Sequence, residues 1–163
     1  ARLRRLSETD PLTGAWNRRR MEEALDKALS GHHRRADALS LIMMDLDRFK
    51  ELNDRHGHDS GDAALRDFVA AVAGGLRETD RLARWGGEEF LALCPDTDRL
   101  EALALAERLR AAVAARRFPH GERLTVSLGV AVAAPGDEAA TLVKRSDEAL
   151  YRAKRAGRDR VSD

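Results

Sequence analysis

Asp45 and Asp47 end the apolar run ALSLIMMDLD at 38–47, and Glu88 and Glu89 follow the glycine pair of RWGGEEF at 84–90. Carboxylates are hard oxygen donors, and a pair brought together from two segments suits Mg²⁺, which keeps much of its water and is commonly completed by substrate phosphates. Each acid also has a plainer use. A strand-end Asp is often a turn former or helix cap, and a hairpin needs small turn residues whether or not anything binds there. Two acids placed directly after two glycines, beside backbone that a ligand can approach closely, favour the chemical use for Glu88 and Glu89. Asp47 stays open between the two.

Neither GxxxxGK[ST] nor GxGxxG occurs, so a phosphate must be held by other means. The stretch RFKELND at 48–54 can turn backbone N–H groups from the start of a short helix toward an anion, with Lys50 adding a point charge. A lone exposed Lys is more commonly just solvated, although lysine is scarce here, at 27, 50, 144 and 154. His56 and His58 lack the i, i+4 relation of a helical zinc pair and have no third soft ligand nearby in sequence, which disfavours zinc. Cys94, the single cysteine, lies in an apolar strand as an inert thiol, and GxSxG is absent, so covalent catalysis has no candidate nucleophile.

The elements that must position these groups can be read from periodicity. A helix follows Asn17, with Met21, Leu25, Ala28 and Leu29 on one face and Gly31 as its stop. Residues 38–46, apolar on both alternating sets, form a strand buried on both faces. A helix spans 59–76 through Leu65, Phe68, Val69, Val72 and Leu76. Strands 82–85 and 90–94 pair antiparallel around a Gly86-Gly87 turn. A helix at 98–115, a half-buried strand at 124–132, and a last helix through Leu142, Val143, Ser146, Ala149, Leu150 and Ala153 complete the order. The central order is β-α-β-β-α-β, an α+β domain of ferredoxin-like type: an antiparallel sheet with helices on one face. In it the first strand's end and the glycine hairpin lie side by side, which brings Asp45 and Glu88 together.

The chain has 163 residues, 29 Lys+Arg against 28 Asp+Glu and 43% hydrophobic residues, which describes one domain able to bury a core without disulfides. Its net charge of +1 argues against a nucleic-acid-coating protein and in favour of small ligands. No stretch approaches the roughly 18 apolar residues of a membrane span, and the start ARLRRLSETD has no signal-peptide core, so the fragment is expected in the cytoplasm without membrane contact. There is no initiator Met, and Leu3 and Leu6 continue a helical spacing. Residues 1–9 are therefore expected to end an upstream linker helix of a longer protein, and 10–163 to form the domain.

Six segments in fixed order carry a family signature: DPLTGAWNRR (10–19), MDLDRFKELND (44–54), HGHDSGD (56–62), RWGGEEF (84–90), LTVSLGVA (124–131) and DEALYRAKRAGRDRV (147–161). Together they resemble the GGDEF domain family, the diguanylate cyclases. The resemblance implies a palm-type, nucleotidyl-cyclase-like fold. It also implies condensation of two GTP into cyclic di-GMP with release of two pyrophosphates, by a homodimer under an upstream sensory or regulatory domain. Such chemistry runs on positioning and charge rather than on a covalent nucleophile.

By the same resemblance, Asp45, the Leu46 carbonyl and Glu88 hold Mg²⁺, with Mn²⁺ as a substitute, and Glu89 is a supporting ligand or an outer partner. Glu88 and Lys50 are the catalytic pair. Phe49 offers backbone N–H groups, Gly86 and Gly87 let the nucleotide lie close, and Lys154 and Arg158 reach the triphosphate. Asn53 and Asp62 read guanine, whose N1–H and amine an acid can accept, and His58 makes a further substrate contact. Arg77 and Asp80 match an inhibitory RxxD site for the product, although Arg77 could merely complement a helix end and Asp80 cap a loop. The one departure is Asp159, where many members carry Asn. A non-catalytic module that senses GTP or cyclic di-GMP is the competing reading.

Overall fold

The computed structural model describes residues 7–35 and 37–163. Residues 1–6 of the expected linker helix lie outside the described residues, and Ser7, Glu8 and Thr9 are not helical. They turn back on the chain, where Thr9 bridges Trp16 and the Asn17 N–H donates to the Glu8 carbonyl at 2.9 Å.

In chain order the elements are α1 (Arg18–Arg35), β1 (Leu39–Leu46), α2 (Phe49–His56), α3 (His58–Ala73), β2 (Arg81–Gly86), β3 (Glu89–Pro95), α4 (Arg99–Ala115), β4 (Val126–Val132), α5 (Ala139–Arg155) and β5 (Val161–Ser162). The sheet order is β2-β3-β1-β4-β5. Its first four strands pair antiparallel, as the βαββαβ reading expects, and β5 adds a short parallel edge beside β4.

The expectation of helices on one face is corrected. Residues 42, 44 and 46 of β1 pack with α3 and α4 through Phe68, Leu105 and Leu109, whereas residues 39, 41 and 43 pack with α1 and α5 through Met21, Leu25 and Leu150. The doubly apolar pattern of β1 requires cover on both sides, and α1 and α5 supply the second layer. Helix α1 also continues through Gly31 to Arg35. One glycine in a helix interior costs only about 1 kcal/mol, which the burial of Met21, Leu25 and Leu29 outweighs.

Two local devices fix the site-bearing elements. Asp98 caps α4, accepting from the Glu101 N–H at 2.8 Å while Glu101 accepts from the Asp98 N–H at 3.2 Å, a capping box of the kind that contributes about 1 kcal/mol. Gly129 in β4 lets α5 lie directly on the sheet, since a Cβ there would stand 2.2 Å from the Leu150 nitrogen and 2.3 Å from the Ser146 carbonyl. No described helix is long and apolar enough to cross a membrane.

Candidate active site

The end of β1 and the tip of the β2–β3 hairpin meet. Asp45 stands opposite Glu89 in the antiparallel register, so their side chains share a face. The Leu46 N–H donates to the Glu88 carbonyl at 3.3 Å. The hairpin turn is one residue later than the spacing suggests: Gly86 pairs with Glu89 as the last residue of β2, and Gly87 and Glu88 form the tip, with Gly87 at φ 49°. Arg84 braces this tip, donating to the Gly87 carbonyl at 2.7 Å while its other end lies 3.4 Å from Asp10.

Asp45, Leu46, Lys50, Glu88, Lys154 and Arg158 line one cavity of about 170 Å³. Asp45 is buried at its inner end and accepts a hydrogen bond from the Lys154 Nζ, delivered by α5. Burial pushes the Asp45 pKa up to about 6; Lys154 opposes the rise, and the negative charges of Glu88 and Glu89 add to it. Glu89 is also raised, by burial first, with Asp147 and Glu88 adding to it and Lys154 and Arg18 opposing. Carboxylates held together against their own repulsion, at the rim of a sheet and facing a small polar cavity, fit a hard divalent cation. Asp45 and Glu88 bring side-chain oxygen donors to this cavity, and Leu46 lines it beside them.

The opposite wall is the start of α2. Arg48 sits at φ 56° and no side chain caps the helix, whose first bond runs from the Leu52 N–H to the Arg48 carbonyl at 3.2 Å. The N–H groups of Phe49, Lys50 and Glu51 precede that bond, and all three residues line the cavity, so the wall is built to receive an anion. Arg158 reaches it from a turn in which Arg158 and Asp159 both have positive φ, 64° and 46°.

Asp47 holds that turn. Its buried carboxylate accepts from the Thr125 and Ser127 hydroxyls at 2.7 and 2.6 Å and from the Asp159 N–H at 3.0 Å. Between the two uses left open for Asp47, its contacts make it a brace of the site, tying β1 to β4 and to the Arg158 turn. Asp159, the departure noted in the sequence, accepts from Arg110 at 2.8 Å and keeps its left-handed backbone.

Asn53, His58 and Asp62 stand to one side, on α2 and α3, and are not among the walls of this cavity. Asn53 packs against Gly61, the neighbour of Asp62, where a Cβ would fall 1.8 Å from the Asn53 Oδ1. That oxygen is buried without a hydrogen-bond partner, an arrangement that a bound donor edge would satisfy. His58 is exposed at the first turn of α3.

A second, wider groove of about 920 Å³ runs between α1, α5 and the hairpin and shares Glu88 with the first. Gly86 and Glu89 line this groove. So does Arg18, whose guanidinium lies 4.2 Å above the Trp85 ring. Sequence reasoning missed Arg18 and Trp85, which carry no local signal of a shared site.

Arg77 and Asp80 are at the far end of the hairpin. Asp80 is 5% exposed and accepts from the Arg77 N–H at 2.9 Å, so it caps the turn that presents Arg77. The Arg77 guanidinium donates to the Pro95 carbonyl at 2.8 Å and to the Thr97 hydroxyl, and it lines a cavity of about 240 Å³ together with Arg108, which the sequence reading did not single out.

The chain matches the family profile described as "Diguanylate cyclase, GGDEF domain" over residues 7–160. It is 43% identical over 162 residues to the response regulator PleD of Caulobacter vibrioides, covering 96% of this chain and 36% of that protein. It is 45% identical over 156 residues to the diguanylate cyclase DgcP of Pseudomonas aeruginosa, covering 94% and 23%. The GGDEF domain of DgcB from Caulobacter crescentus, solved in complex with cyclic di-GMP, superposes with a TM-score of 0.92 at 33% identity, covering 98% of this chain and 96% of that one. The chain thus spans about a third or less of the length of the two full-length relatives and nearly all of a solved domain. With a nucleotidyl-cyclase-like fold, the carboxylates of β1 and the hairpin on one cavity, and a profile match along almost its whole length, this chain belongs to the GGDEF family of diguanylate cyclase domains.

Proposed function

We propose that the domain condenses two GTP into cyclic di-GMP and two pyrophosphates, working as a homodimer with one nucleotide per copy. The observation that carries this reading is the convergence of Asp45 and Glu88 on one cavity whose other wall is the bare N-terminus of α2. In each half-reaction a 3′-oxygen forms a bond to the α-phosphorus of the other nucleotide, the bond from that phosphorus to the bridging oxygen breaks, and pyrophosphate leaves.

Glu88, at the hairpin tip, accepts the 3′-hydroxyl proton. Lys50, the α2 N–H groups, Lys154 and Arg158 hold the triphosphate and offset the charge that builds on it. Asn53 and Asp62 take the guanine edge, and His58 adds a substrate contact. Mg²⁺, or Mn²⁺ in its place, bound by Asp45, Glu88 and the Leu46 carbonyl with Glu89 behind them, would neutralise phosphate charge. Lys154, which bonds Asp45, stands beside both the proposed cation and the proposed triphosphate.

Product binds back at the Arg77 cavity. Arginine matches the O6 and N7 acceptors of guanine, two arginines face the cavity, and Asp80 positions the first of them. Because GTP is the substrate, the domain operates in the cytoplasm. The full-length relatives are longer than this chain, and an upstream regulatory part is proposed for the whole protein.

Chromatographic conversion of GTP by the purified domain with Mg²⁺ tests the reading. The rate is expected to rise more steeply than linearly with protein concentration, and Glu88→Gln to lower it at least ~100-fold. Conversion that persists in Glu88→Gln would refute the assignment. In the same assay, added cyclic di-GMP should slow the wild type and leave Arg77→Ala unaffected; equal inhibition of both removes the product site.

A further inference from the structure

On the side of α2 away from the phosphate wall, the loop between α4 and β4 folds back against the helix end. An antiparallel bridge between Arg117 and Arg123 closes this loop, which carries the buried Phe118 and then His120 and Glu122. His56, the last residue of α2, faces them, with its ring centroid 5.0 Å from that of His120. The Glu122 carboxylate lies 3.4 Å from the His56 Nε2 through one oxygen and 3.9 Å from the His120 Nε2 through the other.

The His120 side chain is 1% exposed, yet neither of its ring nitrogens has a hydrogen-bond partner. Buried polar atoms of this kind call for a ligand or a partner. A carboxylate facing a buried, unpaired imidazole and a second imidazole is poorly explained by packing alone, since an apolar side chain would fill the same space without the desolvation cost.

We propose that His56, His120 and Glu122 form a binding site for a divalent transition-metal ion of the zinc class, separate from the carboxylate site at Asp45 and Glu88. One ligand atom from each residue lies within 4.8 Å of the others. Ligands about 2.0–2.1 Å from a tetrahedral ion stand about 3.3 Å apart, so modest side-chain rotations close the site. Two imidazoles and one carboxylate, with water in the fourth position, suit zinc and its neighbours and not Mg²⁺, which takes oxygen ligands in octahedral geometry.

The surroundings agree. Burial lowers the His120 pKa, His56 and Arg55 reinforce the effect and Glu122 opposes it, a direction that favours the neutral imidazole a metal needs. Arg55 donates to one Glu122 oxygen at 2.9 Å and leaves the other toward His56, the position of an outer partner that orients a metal-binding carboxylate. The ion would tie the end of α2, the helix that carries Lys50 and Asn53, to the α4–β4 loop.

The test uses the full chain carrying Asp45→Asn and Glu88→Gln, so that the other carboxylate site cannot contribute. Zn²⁺ is titrated calorimetrically in excess Mg²⁺, and Co²⁺ is titrated by visible absorption as a reporter of low coordination number. One equivalent of each is expected to bind despite the Mg²⁺. Adding His120→Ala or Glu122→Gln should weaken binding by more than ~100-fold, beyond the loss of an outer partner. Glu122 is exposed, so Glu122→Gln reports even if His120→Ala fails to fold. Absence of the one-equivalent Zn²⁺ isotherm, or an isotherm unchanged by Glu122→Gln, overturns the site.

Discussion

At the scale of single residues the site is governed by a carboxylate that burial and two like charges make reluctant to ionise. Asp45 titrates near 6 in the metal-free chain, above the ordinary carboxylate, and Lys154 offsets only part of the penalty. Between about pH 4 and 6 the folded state therefore binds more protons than the unfolded one. The contribution of Asp45 to stability is best below that window and is lost as pH rises through it. Asp45→Asn should accordingly stabilise the metal-free chain at pH 7.5 by about 1–2 kcal/mol and change little at pH 4, since Lys154 is exposed enough to regain water. Urea unfolding at the two pH values reads this directly, and a less stable variant at pH 7.5 contradicts it. If Mg²⁺ binds at Asp45 as proposed, it competes there with a proton, and its apparent affinity should fall about tenfold per pH unit below 6.

At the scale of elements, what brings Lys154 to Asp45 is the seating of α5 on β4, and Gly129 sets that distance. Gly129→Ala places a methyl group against backbone atoms of α5 that cannot swing aside. The expected loss is about 1–3 kcal/mol of stability, with lower turnover at temperatures where the variant is fully folded, because the helix end bearing Lys154 shifts with it. A stable variant of undiminished activity would dissociate α5 seating from the site. The order of elements and the meeting of strand end and hairpin were legible from periodicity, because long amphipathic helices and doubly apolar strands leave a clear period. What could not be read was tertiary. β5 has two residues and therefore no period. Gly31 looks like a stop until the burial of α1 is known. Asp47 reads as a turn residue until β4 and the Arg158 turn arrive to bond it. The local spacing of His56 and His58 argues against zinc, and the partners that change the argument for His56 stand in a loop more than sixty residues away.

At the scale of the whole molecule, the proposed two-fold symmetric product made from two identical substrates matches a two-fold pair of domains, each bringing one nucleotide. The wide groove between α1, α5 and the hairpin shares Glu88 with the smaller cavity. If each of the two phosphodiester bonds depends on the Glu88 of a different copy, a mixed dimer of wild type and Glu88→Gln can join its nucleotides once and cannot close the ring. Equal amounts of the two chains, mixed at a concentration where the specific rate of the wild type has levelled off, pair at random, and about one quarter of the dimers then hold two intact copies. Cyclic product should fall to about one quarter of the rate given by the same total amount of wild-type chain, while a linear dinucleotide accumulates. A rate of one half with no linear product would mean that each copy completes the chemistry alone. The shared position of Glu88 between the two cavities would then serve substrate entry and not assembly.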